Sequence, residues 1–156
     1  MGTQDLSNVT DFLAKNLTPE KFDLFPNLVE DDVKRFQQDP IKAFVVENDQ
    51  NQITAFCSFL GRPTNEPNPQ EHEVAIGYLT VTGPVEAAPR LVDLMRDLLV
   101  SAKKSKFTAF LCLNSMGDDS FIDELNFTST PDPTYLHLYN WQCSSIPSAR
   151  IAMPLL

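Results

Sequence analysis

Basic residues are scarce in this chain: 12 Lys and Arg stand against 21 Asp and Glu, a formal net charge of −9. Proteins that grip a phosphate backbone depend on clustered Lys and Arg, so nucleic acid is not an expected partner. The densest basic group, Lys103, Lys104 and Lys106, follows a strongly apolar stretch and reads as cations at the negative end of a helix dipole. No apolar run approaches the ~18 residues that a membrane span requires. The opening residues lack a basic segment followed by a hydrophobic one, the pattern of a secretory signal, so a cytoplasmic location is expected. Cysteine is limited to Cys57, Cys112 and Cys143, each among apolar or aromatic neighbours. That odd count argues against a disulfide framework and predicts reduced, buried thiols.

Motifs for the common chemistries are also missing. His72 lies in a polar stretch and His137 in a predicted strand, and neither has a Cys or His at metal spacing. There is no G-x-S-x-G elbow for a serine hydrolase. Asp118-Asp119 lacks the alternating oxygen ligands of a calcium loop and reads as a helix cap. Met1-Gly2 opens like an N-myristoylation signal, but Leu6 stands where Ser or Thr is favoured, so lipidation is not expected.

What is present is a chain of 156 residues with 42% hydrophobic content, most simply one domain spanning 1–156. Leu6, Val9, Phe12 and Leu13 mark one face of a first helix over Asp5–Asn16. Thr18-Pro19-Glu20 predicts a short helical turn, and Val29–Gln38 a second helix stopped by Asp39-Pro40. Lys42–Glu47 and Ile53–Leu60 read as a hairpin around the turn residues Asn48-Asp49-Gln50-Asn51. Arg62–Glu71, with three prolines, reads as a surface loop, and Glu73–Thr82 as a third strand. Leu91, Val92, Met95, Leu98, Leu99 and Ala102 give the strongest helix, Glu86–Lys104. A buried strand (Phe107–Leu113), a short helix (Asp118–Leu125), an aromatic strand (Tyr135–Cys143) and a terminal strand (Ala149–Leu156) complete the reading.

The resulting order, α-α-β-β-β-α-β-α-β-β, is the ground plan of the GNAT acyl-CoA N-acyltransferase fold, an α/β architecture with a mixed central sheet flanked by helices. Such folds bind the CoA pyrophosphate on backbone N–H groups at the start of the long central helix, where glycines let the backbone come close. Here Thr82-Gly83-Pro84-Val85-Glu86-Ala87-Ala88-Pro89-Arg90 stands in that place. Two prolines remove donors, Glu86 has the wrong charge, and Gly83 alone could serve.

Leu138-Tyr139-Asn140-Trp141-Gln142-Cys143, followed by a short apolar terminal segment, resembles the end of eukaryotic glycylpeptide N-myristoyltransferase. Phe44-Val45-Val46-Glu47-Asn48, Ile53-Thr54-x-Phe56-x-Ser58-Phe59 and Pro63 resemble that family's central hairpin. Leu91-x-Asp93-Leu94-Met95-x-Asp97-x-Leu99-Val100-x-Ala102-Lys103 resembles its long helix, and Phe121-x-x-x-Leu125-x-Phe127 the elements that follow. Together these cover about residues 20–156. The family enzyme fuses two GNAT-like halves, of which the first holds myristoyl-CoA and the second supplies much of the peptide site. This chain resembles the second half alone, so no cofactor is expected in it, and myristoyl-CoA enters only if another chain completes the site.

The resemblance implies that the carboxylate of Leu156 stands where the family places its base for the substrate's N-terminal glycine. An α-carboxyl is ionised at neutral pH, and desolvation raises its basicity. Ser58 matches a peptide-side serine. Thr128-Ser129-Thr130-Pro131-Asp132-Pro133 replaces the family's Gly-rich acidic turn, Ile76 stands at a tyrosine position, and Pro154 interrupts the terminal segment. The apolar run Ile151–Leu156 is itself unusual, since termini ordinarily fray into water. Three functions follow as expectations. The first is a half-length relative that binds peptide or protein N-termini, or a full-length N-myristoyltransferase, without being a self-sufficient enzyme. The second is an active acyltransferase completed by a homodimer or a partner chain. The third is an interaction module without peptide chemistry.

Overall fold

The computed structural model describes residues 5–38, 41–63, 73–83, 90–104, 109–111, 120–128, 139–140 and 142–152. Helices α1 (Leu6–Asn16) and α2 (Glu30–Arg35) precede strands β1 (Ile41–Glu47), β2 (Ile53–Pro63) and β3 (Glu73–Thr82). Helix α3 (Leu91–Lys104), strand β4 (Ala109–Leu111), helix α4 (Ser120–Glu124) and a 3-10 turn (Ser148–Arg150) follow. The sheet order is β1-β2-β3-β4, antiparallel through β3 and parallel between β3 and β4. That is the expected mixed sheet.

Local chemistry explains the element ends. The β1–β2 hairpin closes with Asn51 N–H donating to Asn48 O (2.9 Å) and Asn51 in the left-handed region at φ 57°. Asn48 Oδ1 also accepts from the Gln50 and Gln52 N–H groups, at 3.0 and 2.9 Å. A turn followed by one left-handed residue is a common hairpin closure. At the end of α4, Phe127 N–H reaches back to Ile122 O (2.9 Å) and Asn126 N–H to Asp123 O, with Asn126 at φ 57°. These are the bonds of a Schellman stop, with asparagine in place of the usual glycine. After α1, Thr18 forms one hydrogen-bonded turn, its carbonyl accepting from Lys21 and Phe22, and no helix continues from it.

Two core layers lie on opposite faces of the sheet. On one, α1 buries Val9, Phe12 and Leu13, and α2 buries Val33, with Phe36 just beyond it, against Phe56, Leu79 and Val81. The Phe36 and Phe56 rings meet edge to face at 5.1 Å. On the other, α3 sets Val92, Leu94, Met95, Leu98 and Ala102 against Ala55, Cys57, Phe59 and Ala75. Strand β2 thus supplies both layers from alternate residues, which is why its sequence is apolar almost throughout.

Two irregularities reset that alternation. Between Val46↔Ala55 and Glu47↔Ile53, Thr54 is extra on β2; between Ser58↔Leu79 and Phe59↔Gly77, Tyr78 is extra on β3. One inserted residue turns the following side chains to the other face. Ala75 accordingly joins the α3 layer, while Leu79 and Val81, also odd-numbered, join the α1 layer.

Several expectations need correction. Arg62 and Pro63 extend β2 instead of opening a loop, pairing with Val74 and Glu73. Tyr139-Asn140 is a turn, not a strand interior: Asn140 is left-handed at φ 57°, and Tyr139 is 91% exposed. A left-handed residue breaks the strand pleat. Gln142 and Cys143 then run without regular structure, and Cys143 is exposed among Gln142, Ser144 and Ser145, so it is not a core thiol. Ala149–Arg150 belong to a 3-10 turn, and Ile151 makes a single parallel bridge to Leu24, so the described part of the terminal segment is not a strand. Residues 135–138, 141 and 153–156, and with them the rest of both strand expectations, lie outside the described residues, as do Cys112, His72 and His137.

Candidate functional site

Three places carry the residues singled out by the sequence. The first is the β3 bulge. Ser58 is fully buried beside it and donates its hydroxyl to Leu79 O at 3.3 Å. A bulge disrupts the ladder locally, and the serine meets the carbonyl of the residue that follows the insertion. Once its proton is committed, the hydroxyl oxygen still accepts hydrogen bonds. Bulges often re-aim side chains beside functional sites.

The second place is the entry to α3. Gly83 N–H donates to Thr54 O at 2.9 Å, and a Cβ on Gly83 would stand 3.1 Å from that oxygen and 3.5 Å from the Phe12 ring. Its glycine is therefore explained by close packing, and its amide is already engaged. Arg90, whose carbonyl accepts from the Asp93 and Leu94 N–H groups, is paired through Nη2 with Glu124 Oε1 at 3.2 Å. Asp93 lies in the first turn of α3 and accepts from Arg96 Nη1 at 2.7 Å. A negative side chain complements the positive helix end from within the protein. Pro84 and Pro89 lack an N–H and Glu86 adds negative charge, and residues 84–89 themselves lie outside the described residues.

The third place is the C-terminal segment. Arg150 grips the run 19–24 with Nε to Asp23 Oδ2 (2.9 Å), Nη2 to Asp23 Oδ1, Nη1 to Glu20 O (3.0 Å) and Nη2 to Pro19 O (3.3 Å). The guanidinium hydrogen bonds hold the Asp23 carboxyl below the usual carboxylate range. Two residues on, Ala152 is buried in the α1 layer. The apolar run thus begins from an anchored and buried position, while Leu156, named from the sequence as the base, lies outside the described residues. Ser58 and the Arg150 clamp are on separate elements, and sequence reasoning missed the clamp. Its partners are 127 residues apart in the chain, and no local pattern connects them.

Burial also decides the thiol beside Ser58. Cys57 is pushed up to about 12, first by desolvation and then by the Asp97 charge. It is a protonated core side chain at neutral pH, not a nucleophile.

The sheet order, the bulged third strand and the helix that follows it define the GNAT acyltransferase fold, and solved structures agree. A predicted acetyltransferase from Clostridium acetobutylicum, solved with acetyl-CoA, superposes with a TM-score of 0.66 at 16% identity, over 92% of this chain and 96% of that one. The Saccharomyces cerevisiae N-myristoyltransferase with bound myristoyl-CoA gives 0.63 at 19% identity, over 81% of this chain and 34% of the enzyme. The description "Myristoyl-CoA:protein N-myristoyltransferase, C-terminal domain" matches residues 1–152. Glycylpeptide N-tetradecanoyltransferase 2 of Danio rerio is 30% identical over 99% of this chain and 32% of its own length. Glycylpeptide N-tetradecanoyltransferase 1 of Arabidopsis thaliana is 27% identical over 100% of this chain and 36% of its own length. The chain belongs to the N-myristoyltransferase family and corresponds to its C-terminal domain. It spans about a third of the length of these curated relatives. Among the described residues no helix is long and apolar enough to cross a membrane.

Proposed function

We propose that this chain is a cytoplasmic, peptide-side half of an N-myristoyltransferase-like acyltransferase, binding peptide or protein N-termini and not transferring an acyl group by itself. The observation that carries the reading is the match of residues 1–152 to the family's C-terminal domain. The engaged Gly83 amide and the self-neutralised start of α3 support its second part. In this reading the fully buried Ser58 serves the peptide site by holding the β3 bulge through its bond to Leu79 O. The Leu156 carboxylate accepts one proton from the ammonium of an N-terminal glycine, leaving a neutral amine and a neutral carboxyl. The acyl donor is supplied by the family's other half, from whichever chain carries it.

Titration of a glycine-starting peptide into the chain, beside its N-acetylated form, tests binding. Saturable binding of the free N-terminus, lost on acetylation, is expected. Transfer of a myristoyl group is then assayed with and without added full-length N-myristoyltransferase, and no transfer is expected from the chain alone. Transfer without the added enzyme would replace this reading with an active homodimer, favoured by the named activity of the relatives. Absence of peptide binding would leave an interaction module. If transfer occurs in any mixture, adding one residue after Leu156 abolishes it, and activity that survives removes the carboxylate as the base.

A further inference from the structure

We propose that Arg150 is the positioning residue of the C-terminal segment, a clamp that fixes Ile151 and Ala152 at the start of the apolar run. The inference rests on the peptide-side reading, because that reading places a functional group four residues beyond Ala152.

An exposed ion pair alone contributes little, and the side chains of Arg150 and Asp23 are 36% and 42% exposed. Here the pair is one part of a larger junction. The guanidinium fork takes both oxygens of Asp23 and two main-chain carbonyls, those of Pro19 and Glu20. The Arg150 carbonyl accepts from the Asp23 and Leu24 N–H groups at 2.8 and 3.3 Å. Ala152 N–H donates to Leu24 O at 2.8 Å, and Ile151 bridges Leu24. One bond fixes a point, whereas bonds from the side chain and carbonyl of Arg150 and from the amide of Ala152 fix both a point and a direction. The chain is held at the surface at Arg150 and buried two residues later at Ala152. Lysine, a single point of charge without a planar fork, cannot make this set of bonds.

Amide hydrogen exchange of the full chain tests the proposal with Arg150→Ala, Arg150→Lys and Asp23→Ala. In each variant the Leu24 and Ala152 amides, and that of residue 23, are expected to exchange roughly tenfold faster, while the Phe56 amide in β2 keeps its protection. The dissociation constant for a glycine-starting peptide is expected to rise by about fivefold or more in the same variants, on the order of the factor by which coupled sites respond. Unchanged Ala152 exchange in Arg150→Ala overturns the clamp, as does unaltered behaviour of Arg150→Lys. A uniform acceleration that includes Phe56 shows a general stabiliser and also overturns it. Loosened amides with undiminished peptide affinity overturn the positioning role. Peptide binding by the unaltered chain decides the underlying reading separately, because the amide result does not depend on it.

Discussion

Cys57 and Gly83 show how far single positions constrain this protein. The folded chain keeps the Cys57 proton up to about 12, whereas an unfolded chain releases it near ~8.5. The folded state therefore binds more protons in that window. The stabilisation is complete below the ordinary thiol pKa and is lost as pH rises towards the folded value, with a slope of about 1.4 kcal/mol per pH unit. Denaturant titrations at successive alkaline pH values check this, and Cys57→Ala is expected to lack that part of the slope. At neutral pH, alkylation followed by peptide mapping is expected to label the exposed Cys143 rapidly and Cys57 only on unfolding. Gly83→Ala forces a methyl to 3.1 Å from a main-chain oxygen that cannot retreat without breaking the β2 register. A loss of about 1–3 kcal/mol is expected in urea unfolding.

Among the elements, the strands and long helices were legible because each carries its own periodicity. Strand β3 runs Glu73–Thr82 as expected, and α3 buries Val92, Met95, Leu98 and Ala102 from the expected face. The bulges were not legible: Tyr78 is one more residue in an apolar run, and its insertion is visible only against the partner strand. Deleting Tyr78 turns either Ala75 or the Leu79–Val81 pair out of its layer. The expected cost is at least ~3 kcal/mol, read as loss of the cooperative urea transition. The stop of α4 is a gentler test. Asn126→Val places a β-branched side chain at φ 57° and is expected to cost about 1–2 kcal/mol, while Asn126→Gly is neutral or stabilising in thermal melts. The Tyr139-Asn140 turn escaped notice for a related reason. An aromatic run favours a strand, and only the left-handed asparagine ended it.

At the scale of the molecule, one strand serves two cores. Phe56 belongs to the α1 layer and Met95 packs on the other face of the same sheet. Phe56→Ala and Met95→Ala are each expected to cost about 2–5 kcal/mol. Far-UV circular dichroism and amide exchange in both layers are expected to report one shared unfolding midpoint, whereas separate midpoints would mean that the layers fold independently. By itself, the sequence determined the α/β order of the elements through α4 and the family resemblance, because these are carried by residues near one another in the chain. Of the apolar terminal run, Ile151 is half-buried and Ala152 buried, and residues 153–156 lie outside the described residues. Only the tertiary structure decided that the run is held by Arg150 on Asp23, that Ser58 stitches a bulge, and that Gly83 spends its amide on Thr54. Those three facts join residues distant in sequence, whose partnership is set by strand register and packing, and no local pattern encodes them.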